Sequence, residues 1–411
     1  MPFSTKLLVL LMVYCLFALW RIKAVGAPVV DGLVASNVPL LTGAVLVVAM
    51  VSEARRWSRY SAAQVASYLL LGVLGLTGCL QAGIDAQSLY ALAAMLIPLA
   101  VGVFYRGESG DFALVLRVCA LLGVLYAVFT IVAVFDYSGL LRVVGITPAG
   151  DYGQHRASLP LGSSITVSYY LNICLVIVLY LYLKTGNTRG RLGWLASCAA
   201  ICAAITLELS RSSVACMVLT LVLYATLSPR GARRPLLLVY LAIGASLVYV
   251  ALTSDVSRLV DSFFGSSGLG ESGESRGSAA SLGLHLFASS PLFGTGVGEC
   301  FPRVWSGDNR LVIDGVAGLV DPHSGLVLLL SELGLVGTFL YFVVFGTLVV
   351  EIWSVPERAC RAAGLTVAAV VAINSLYGSQ IVNEPAYAVI AYFILAGFAG
   401  AGRGGLACGE N

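Results

Sequence analysis

Runs of about 20 apolar residues recur along almost the whole chain, and that recurrence decides what kind of fold is open to it. At about 1.5 Å per residue, about 20 residues of helix cross the hydrocarbon core of a bilayer. Runs near that length fall at residues 6–24, 34–52, 62–80, 88–105, 112–134, 161–183, 192–210, 213–228, 235–253, 324–350, 362–382 and 386–402. They predict an all-α polytopic membrane protein of about twelve transmembrane helices, with residues 1–411 as one integral membrane domain. Backbone polar groups find no water in the hydrocarbon, so helices are the expected spanning form. Of the 411 residues, 59% are hydrophobic and only 11% charged, where a soluble domain carries about 25%. The 45 glycines suit closely packed membrane helices. Met1 to Trp20 lacks a small-residue cleavage site before Arg21 and reads as the first span rather than a signal peptide.

Composition also excludes some functions. A net charge of +3, with no basic run interleaved with aromatics, gives no footprint for nucleic acid. The ten cysteines lie mostly within or beside apolar runs and form no CxxC pair. Cys198 and Cys202 share a helix face and read as small hydrophobes.

Lys and Arg set the expected orientation. With the N-terminus in the cytoplasm, the short cytoplasmic loops hold Arg55, Arg56, Arg59, Arg106, Lys184, Arg189, Arg191, Arg230, Arg233, Arg234, Arg358 and Arg361. Both termini are then cytoplasmic. Acidic residues such as Asp136, Asp151, Asp255, Asp261, Glu271 and Asp314 gather on the other side. That side carries one large loop, residues 254–323, between the ninth and tenth spans. It opens with GSSGLGESGESRGS, a Gly/Ser-rich stretch without periodicity. GSAASLGLHLFASSPLFG follows and predicts a short amphipathic helix bearing Leu282, Leu286 and Phe287, ended by Pro291. Gly294, Gly296 and Gly298 then predict a tight turn. They neither follow a strand nor open a helix, so they are not a dinucleotide fingerprint.

Charges at a membrane boundary each need a reason. Arg211 stands in LELSRSSVAC, where only a few polar residues separate two spans. Arg156 precedes the sixth span in GQHRASLPLGSS, and Arg276 precedes the loop helix. Each has an ordinary reading as a snorkelling or solvated charge. His323 ends the large loop, two residues after Asp321 and just before Ser324. An imidazole, with a pKa of about 6.5, can be neutral and accept a proton on that side. The plainer reading is a neighbour of a helix cap. Solvated or core roles suit His155 and His285 better. Glu332 falls within the tenth span, where a carboxylate is costly, and is expected to face the bundle, paired or in a watery cavity. No HExxH pattern or other metal-ligand set is present. Several arginines with one histidine suit a diphosphate. The guanidinium forks bind its oxygens, and the histidine activates a hydroxyl.

On these residues the chain resembles the O-antigen ligase and O-antigen polymerase superfamily of bacterial envelope glycosyltransferases. His323-Ser324, nine residues, then Gly334-x-x-Gly337 is similar to the ligase pattern of His, Asn/Ser/Gln, nine residues and GxxG. Glu332 matches the acidic residue before the first glycine. LSRSS at Arg211, the run from Arg276 through SPLFGTGVGECF, and Arg156 ahead of the sixth span resemble further family elements. The resemblance implies a GT-C-like fold and transfer of a glycan from undecaprenyl diphosphate. The acceptor would be a lipid A-core sugar, on the periplasmic face of the bacterial inner membrane. It implies no cofactor and no metal, and inversion at the anomeric carbon. His323 would be the general base, with Arg211, Arg276 and Arg156 on the diphosphate and Glu332, Asp321 and Ser324 in support.

A polymerase extending the glycan on the same carrier shares this chemistry and differs in its acceptor. Protein O-oligosaccharyltransferases share the motif but commonly continue further past the last span. A transporter predicts Gly/Pro-broken helices at matched positions in two halves, which the sequence does not display.

Overall fold

A computed structural model of the chain describes residues 61–82, 86–105, 109–135, 147–149, 156–158, 164–208, 210–229, 244, 280–281, 283–298, 311–313, 316–318 and 324–401. The expected spans at 6–24, 34–52 and 235–253 lie outside these residues, apart from Gly244, as does the Gly/Ser-rich stretch of the large loop. The architecture is all-α and polytopic, with ten helices among the described elements. They are α1 (Ala62–Ala82), α2 (Ala86–Phe104), α3 (Ser109–Phe135), α4 (Ser164–Lys184), α5 (Thr188–Leu207) and α6 (Arg211–Leu227), followed by α7 (Gly325–Trp353), α8 (Arg358–Tyr377), the short α9 (Gln380–Asn383) and α10 (Pro385–Ala401). Six are long and apolar enough to cross a membrane, and α2, α6 and α10 are shorter apolar helices. Residues 280–281 and 283–289 are helical, where the sequence predicts the short loop helix; Leu282 lies outside the described residues.

Two small antiparallel hairpins are additions that hydropathy does not foresee. Strand β1 (Thr147–Ala149) pairs with β2 (Arg156–Ser158), and β3 (Leu311–Ile313) with β4 (Val316–Gly318). Three-residue strands are too short to leave a periodic pattern.

Helix α4 is the centre of one half of the bundle. It packs against α3, α5, α6 and α8, and nearly all of its spanning window is buried. A helix covered on all sides has no polar face to display, so its sequence SITVSYYLNICLVIVLYLYLK is apolar around the whole circumference. In the other half α1 lies against α7 and α2 against α10. The seven described cysteines are free and buried, as expected of small hydrophobes. Small residues allow the close approaches. A Cβ on Gly397 of α10 would overlap the Phe112 ring, which stacks edge-on against Phe398. Gly397→Val therefore destabilises the protein by about 1–3 kcal/mol, an overpacking penalty measurable by unfolding in micelles.

The end of the bundle holding Lys184, Arg191, Arg358 and Arg361 is tied by cations. Lys184 at the last turn of α4 pairs with Glu357 at 2.6 Å, and Arg358 donates from Nε to the Leu227 carbonyl at the end of α6 (3.1 Å). Positive groups belong at these helix C-termini, where carbonyls lack partners.

Candidate active site

Helix α7 carries the main departure from a plain hydropathy reading. The apolar run 324–350 predicts one continuous helix, but Gly334 sits at φ 64° and ψ −168°, and the helix breaks there. The break lies about 13 Å past the start of α7, at about 1.5 Å per residue. Inside a bilayer such a break is tolerated only if protein satisfies the freed groups. The loop at residues 290–298 does so. Thr295 and Gly296 donate their backbone N–H groups to the Ser331 and Glu332 carbonyls (2.9 and 3.2 Å). In return, Leu335 and Val336 donate to the Pro291 and Leu292 carbonyls (2.9 and 3.0 Å). The Thr295 hydroxyl adds a bond to the Ser331 carbonyl at 3.1 Å.

The glycines of both segments have their reason here. Gly294, Gly296 and Gly298 all have positive φ, as the expected tight turn requires. Gly294 and Gly334 meet back to back: a Cβ on the first would collide with the Glu332 and Leu333 backbone, and one on the second with the Leu292 and Gly294 backbone. Gly337 lets α7 approach α1, since a Cβ there would come within 2.8 Å of Leu74 Cδ2. Gly296 lies close over Gly78 of α1, and Gly298 over Ser88 of α2. The turn after the loop helix is thus wedged among α1, α2 and α7. Thr295→Val removes only the hydroxyl bond and is expected to cost about 1 kcal/mol, readable in the same unfolding assay.

The first residues of α7 are fixed as firmly. Ser324 caps the helix, its hydroxyl accepting from Val327 N at 3.4 Å. Gly325 donates to the Gly378 carbonyl at the end of α8 (2.9 Å), and a Cβ on it would press on the Ser375 carbonyl. The start of α7 at Ser324 and Gly325 is therefore held at the C-terminal end of α8. His323 itself, with Asp321 and Arg276, lies outside the described residues.

Helix α6 begins beside the same end of α8. Arg211 is its first residue and Ser210 its N-cap, so the expected short polar junction between two apolar helices is present. A buried hydroxyl and amide belt surrounds that start. Ser213 donates to Ser210 Oγ (3.0 Å), Ser210 and Ser212 share a bond at 3.3 Å, and Tyr169 of α4 donates to Ser212 Oγ (3.3 Å). Asn172 donates to the Ser168 and Ser213 carbonyls (2.9 and 3.3 Å). Further along α6, Cys216 donates to Asn374 Oδ1 of α8 (4.0 Å), and Asn374 donates to the Tyr387 hydroxyl of α10. Buried polar groups that satisfy one another hold a single geometry, so the belt fixes α6 against α4, α8 and α10.

Arg156 is placed on β2, and this hairpin packs on α3 and α4. Glu332 is buried in the first half of α7, as its cost in a membrane demands, and its carbonyl receives the docked turn. His285 is exposed on the loop helix, in keeping with a solvated role. Sequence reasoning weighed only the charges and passed over Tyr169, Asn172, Asn374 and Tyr387. Single amides inside apolar runs are the signal that marks such positions.

The arrangement gathers at one end of the bundle a helix N-terminus beginning with arginine, a capped helix start directly after a histidine, and a hairpin carrying a second arginine. Helix starts direct unpaired N–H groups outward and favour anions. Residues 174–342 match the family model described as O-Antigen ligase. The matched segment runs from the middle of α4 to the second half of α7. It contains Arg211, Arg276, His323, Glu332 and both sides of the α7 break, while Arg156 precedes it. No curated protein matches the chain.

Proposed function

We propose that the chain, whose residues 174–342 match the O-Antigen ligase family model, joins a glycan carried on undecaprenyl diphosphate to a lipid A-core sugar. The reaction takes place at the periplasmic face of the inner membrane. The observation that carries this reading is the seating of two helix starts, those of α6 and α7, around the C-terminal end of α8. It supports a common site for Arg211 and His323.

In the proposed reaction His323 takes the proton of the acceptor hydroxyl as its oxygen attacks the anomeric carbon of the donor sugar. The bond from that carbon to the diphosphate oxygen breaks, and undecaprenyl diphosphate leaves with the electron pair. Configuration at the carbon inverts. The guanidinium groups of Arg211 and Arg276, with Arg156 beside them, receive the charge on the leaving group, a task met elsewhere by a divalent cation. Ser324 holds the start of α7 through its cap. Asp321 orients the imidazole. The basic loops set the orientation, with the end holding Lys184, Arg358 and Arg361 in the cytoplasm.

Replacing either Arg211 or Arg276 by Lys lowers the transfer rate on the order of 100-fold, because a point charge lacks the bidentate fork. Full activity in both variants, measured with a carrier-linked donor, removes that role. The acceptor is tested in cells. Deleting the gene leaves lipopolysaccharide cores bare and carrier-linked polymer accumulated if the chain is a ligase. Cores bearing a single repeat unit indicate the polymerase instead.

A further inference from the structure

The opposite end of the bundle carries a second feature that the transfer reaction does not use. A cavity of about 260 Å³ opens between the ends of α6 and α7, over the first two turns of α8. Leu227, Trp353, Arg358, Arg361, Ala362 and Leu365 line it. On α8 these are positions i, i+3, i+4 and i+7, one helix face. Two cations therefore stand together in a cleft whose other lining residues, Thr226 apart, are apolar.

Each guanidinium is held by one bond to a helix-end carbonyl and keeps its other N–H groups. Arg358 uses Nε on the Leu227 carbonyl, and Arg361 uses one terminal nitrogen on the Val355 carbonyl (3.4 Å). Among the described residues neither is paired with a carboxylate. The adjacent Glu357 is engaged by Lys184, and Glu351 carries a contact of its own. Exposed apolar side chains lie beyond the cavity on the two flanking helices. Val218 and Val222 on α6 precede Thr226 at intervals of four residues, and Phe342, Val350 and Trp353 lie on α7; these apolar side chains are exposed. Between them α8 presents the small residues Ala369 and Ala372. An indole at the rim suits the headgroup level of a bilayer.

We propose that this cleft binds an anionic phospholipid of the adjacent leaflet, with its phosphate on Arg358 and Arg361 and an acyl chain along the alanine floor of α8. Prearranged guanidinium forks recognise phosphate oxygens with little ordering left to do. Exposed apolar side chains on the flanking helices fit an acyl chain and have no use for a free ion. The bound lipid bridges α6, α7 and α8, whose outer ends carry the transfer site. The proposal does not depend on the reaction assigned to that site.

Tryptophan fluorescence of the full-length protein in bilayers tests it. Phosphatidylglycerol or phosphatidylcholine with brominated acyl chains serves as quencher, and a Trp353→Phe variant isolates the contribution of that indole. Trp353 is expected to be quenched preferentially by the brominated phosphatidylglycerol, with an apparent preference on the order of five-fold per arginine. In the Arg358→Gln/Arg361→Gln variant the preference falls to about one. Equal quenching by the two lipids in the wild type overturns the proposal without any variant. So does a preference that persists in the double variant, or displacement of the brominated lipid by inorganic phosphate.

Discussion

Gly334→Ala yields a protein that no longer holds its loop in α7 and unfolds far more readily than the wild type. Two penalties add at one atom. The backbone conformation at Gly334 is one that glycine alone adopts without strain, and forcing another residue into it costs about 1–3 kcal/mol. The new methyl group also collides with the backbone of Leu292 and Gly294, which, unlike a flexible side chain, has no rotamer to retreat into. The loop must withdraw, and the partners of Ser331, Glu332, Leu335 and Val336 go with it. Buried groups left unsatisfied cost about 1–3 kcal/mol each. The total expected is about 4 kcal/mol or more, read as a fall in the unfolding midpoint in mixed micelles. Gly294→Ala strikes the same contact from the other side. The two substitutions are therefore non-additive, and the double variant loses little beyond either single one. A Gly334→Ala protein as stable as the wild type contradicts the docking of residues 290–298 in the α7 break.

His323→Ala removes the proposed general base. In cells it abolishes O-antigen attached to lipid A-core while the protein accumulates normally in the membrane. The expected fall in rate is on the order of 100- to 10,000-fold, the usual contribution of a positioned base. Stability should change little, since the start of α7 is held by Ser324 and by the Gly325 bond to Gly378, which the substitution leaves in place. The pairing of lost activity with retained stability separates this residue from Gly334, where both fall together. Normal banding of capped lipopolysaccharide in the variant ends the proposed mechanism.

The described apolar helices were legible because hydropathy acts locally: an apolar run of about twenty residues marks a crossing whatever surrounds it. The tight turn at Gly294, Gly296 and Gly298 was legible for a similar reason, as closely spaced glycines mark positive φ. Its destination was not. Glycines are common in membrane helices, so nothing in SELGLVG separates a packing glycine from one that breaks the helix. Only the loop seated against Gly334 decides it. The GxxG by which the chain resembles the O-antigen ligase pattern thereby acquires a physical meaning: Gly334 opens the helix for the loop, and Gly337 admits α1. The candidate site divides in the same way. Arg211 stood out as a charge between two apolar runs, and its place at the start of α6 follows from that. The bond from Asn172 to the Ser213 carbonyl and the link from Cys216 through Asn374 to Tyr387 join positions far apart in the chain, and no local pattern encodes which of them meet.

The most direct test is transfer by the purified full-length protein in bilayers. It uses an undecaprenyl-diphosphate-linked glycan donor and a lipid A-core acceptor in the presence of excess EDTA, with wild type and His323→Ala compared side by side. The account predicts that the wild type forms the joined product without a divalent metal and that the variant loses transfer by at least about 100-fold. Transfer by His323→Ala at the wild-type rate, or a wild type that is inert until a divalent metal is restored, would contradict it.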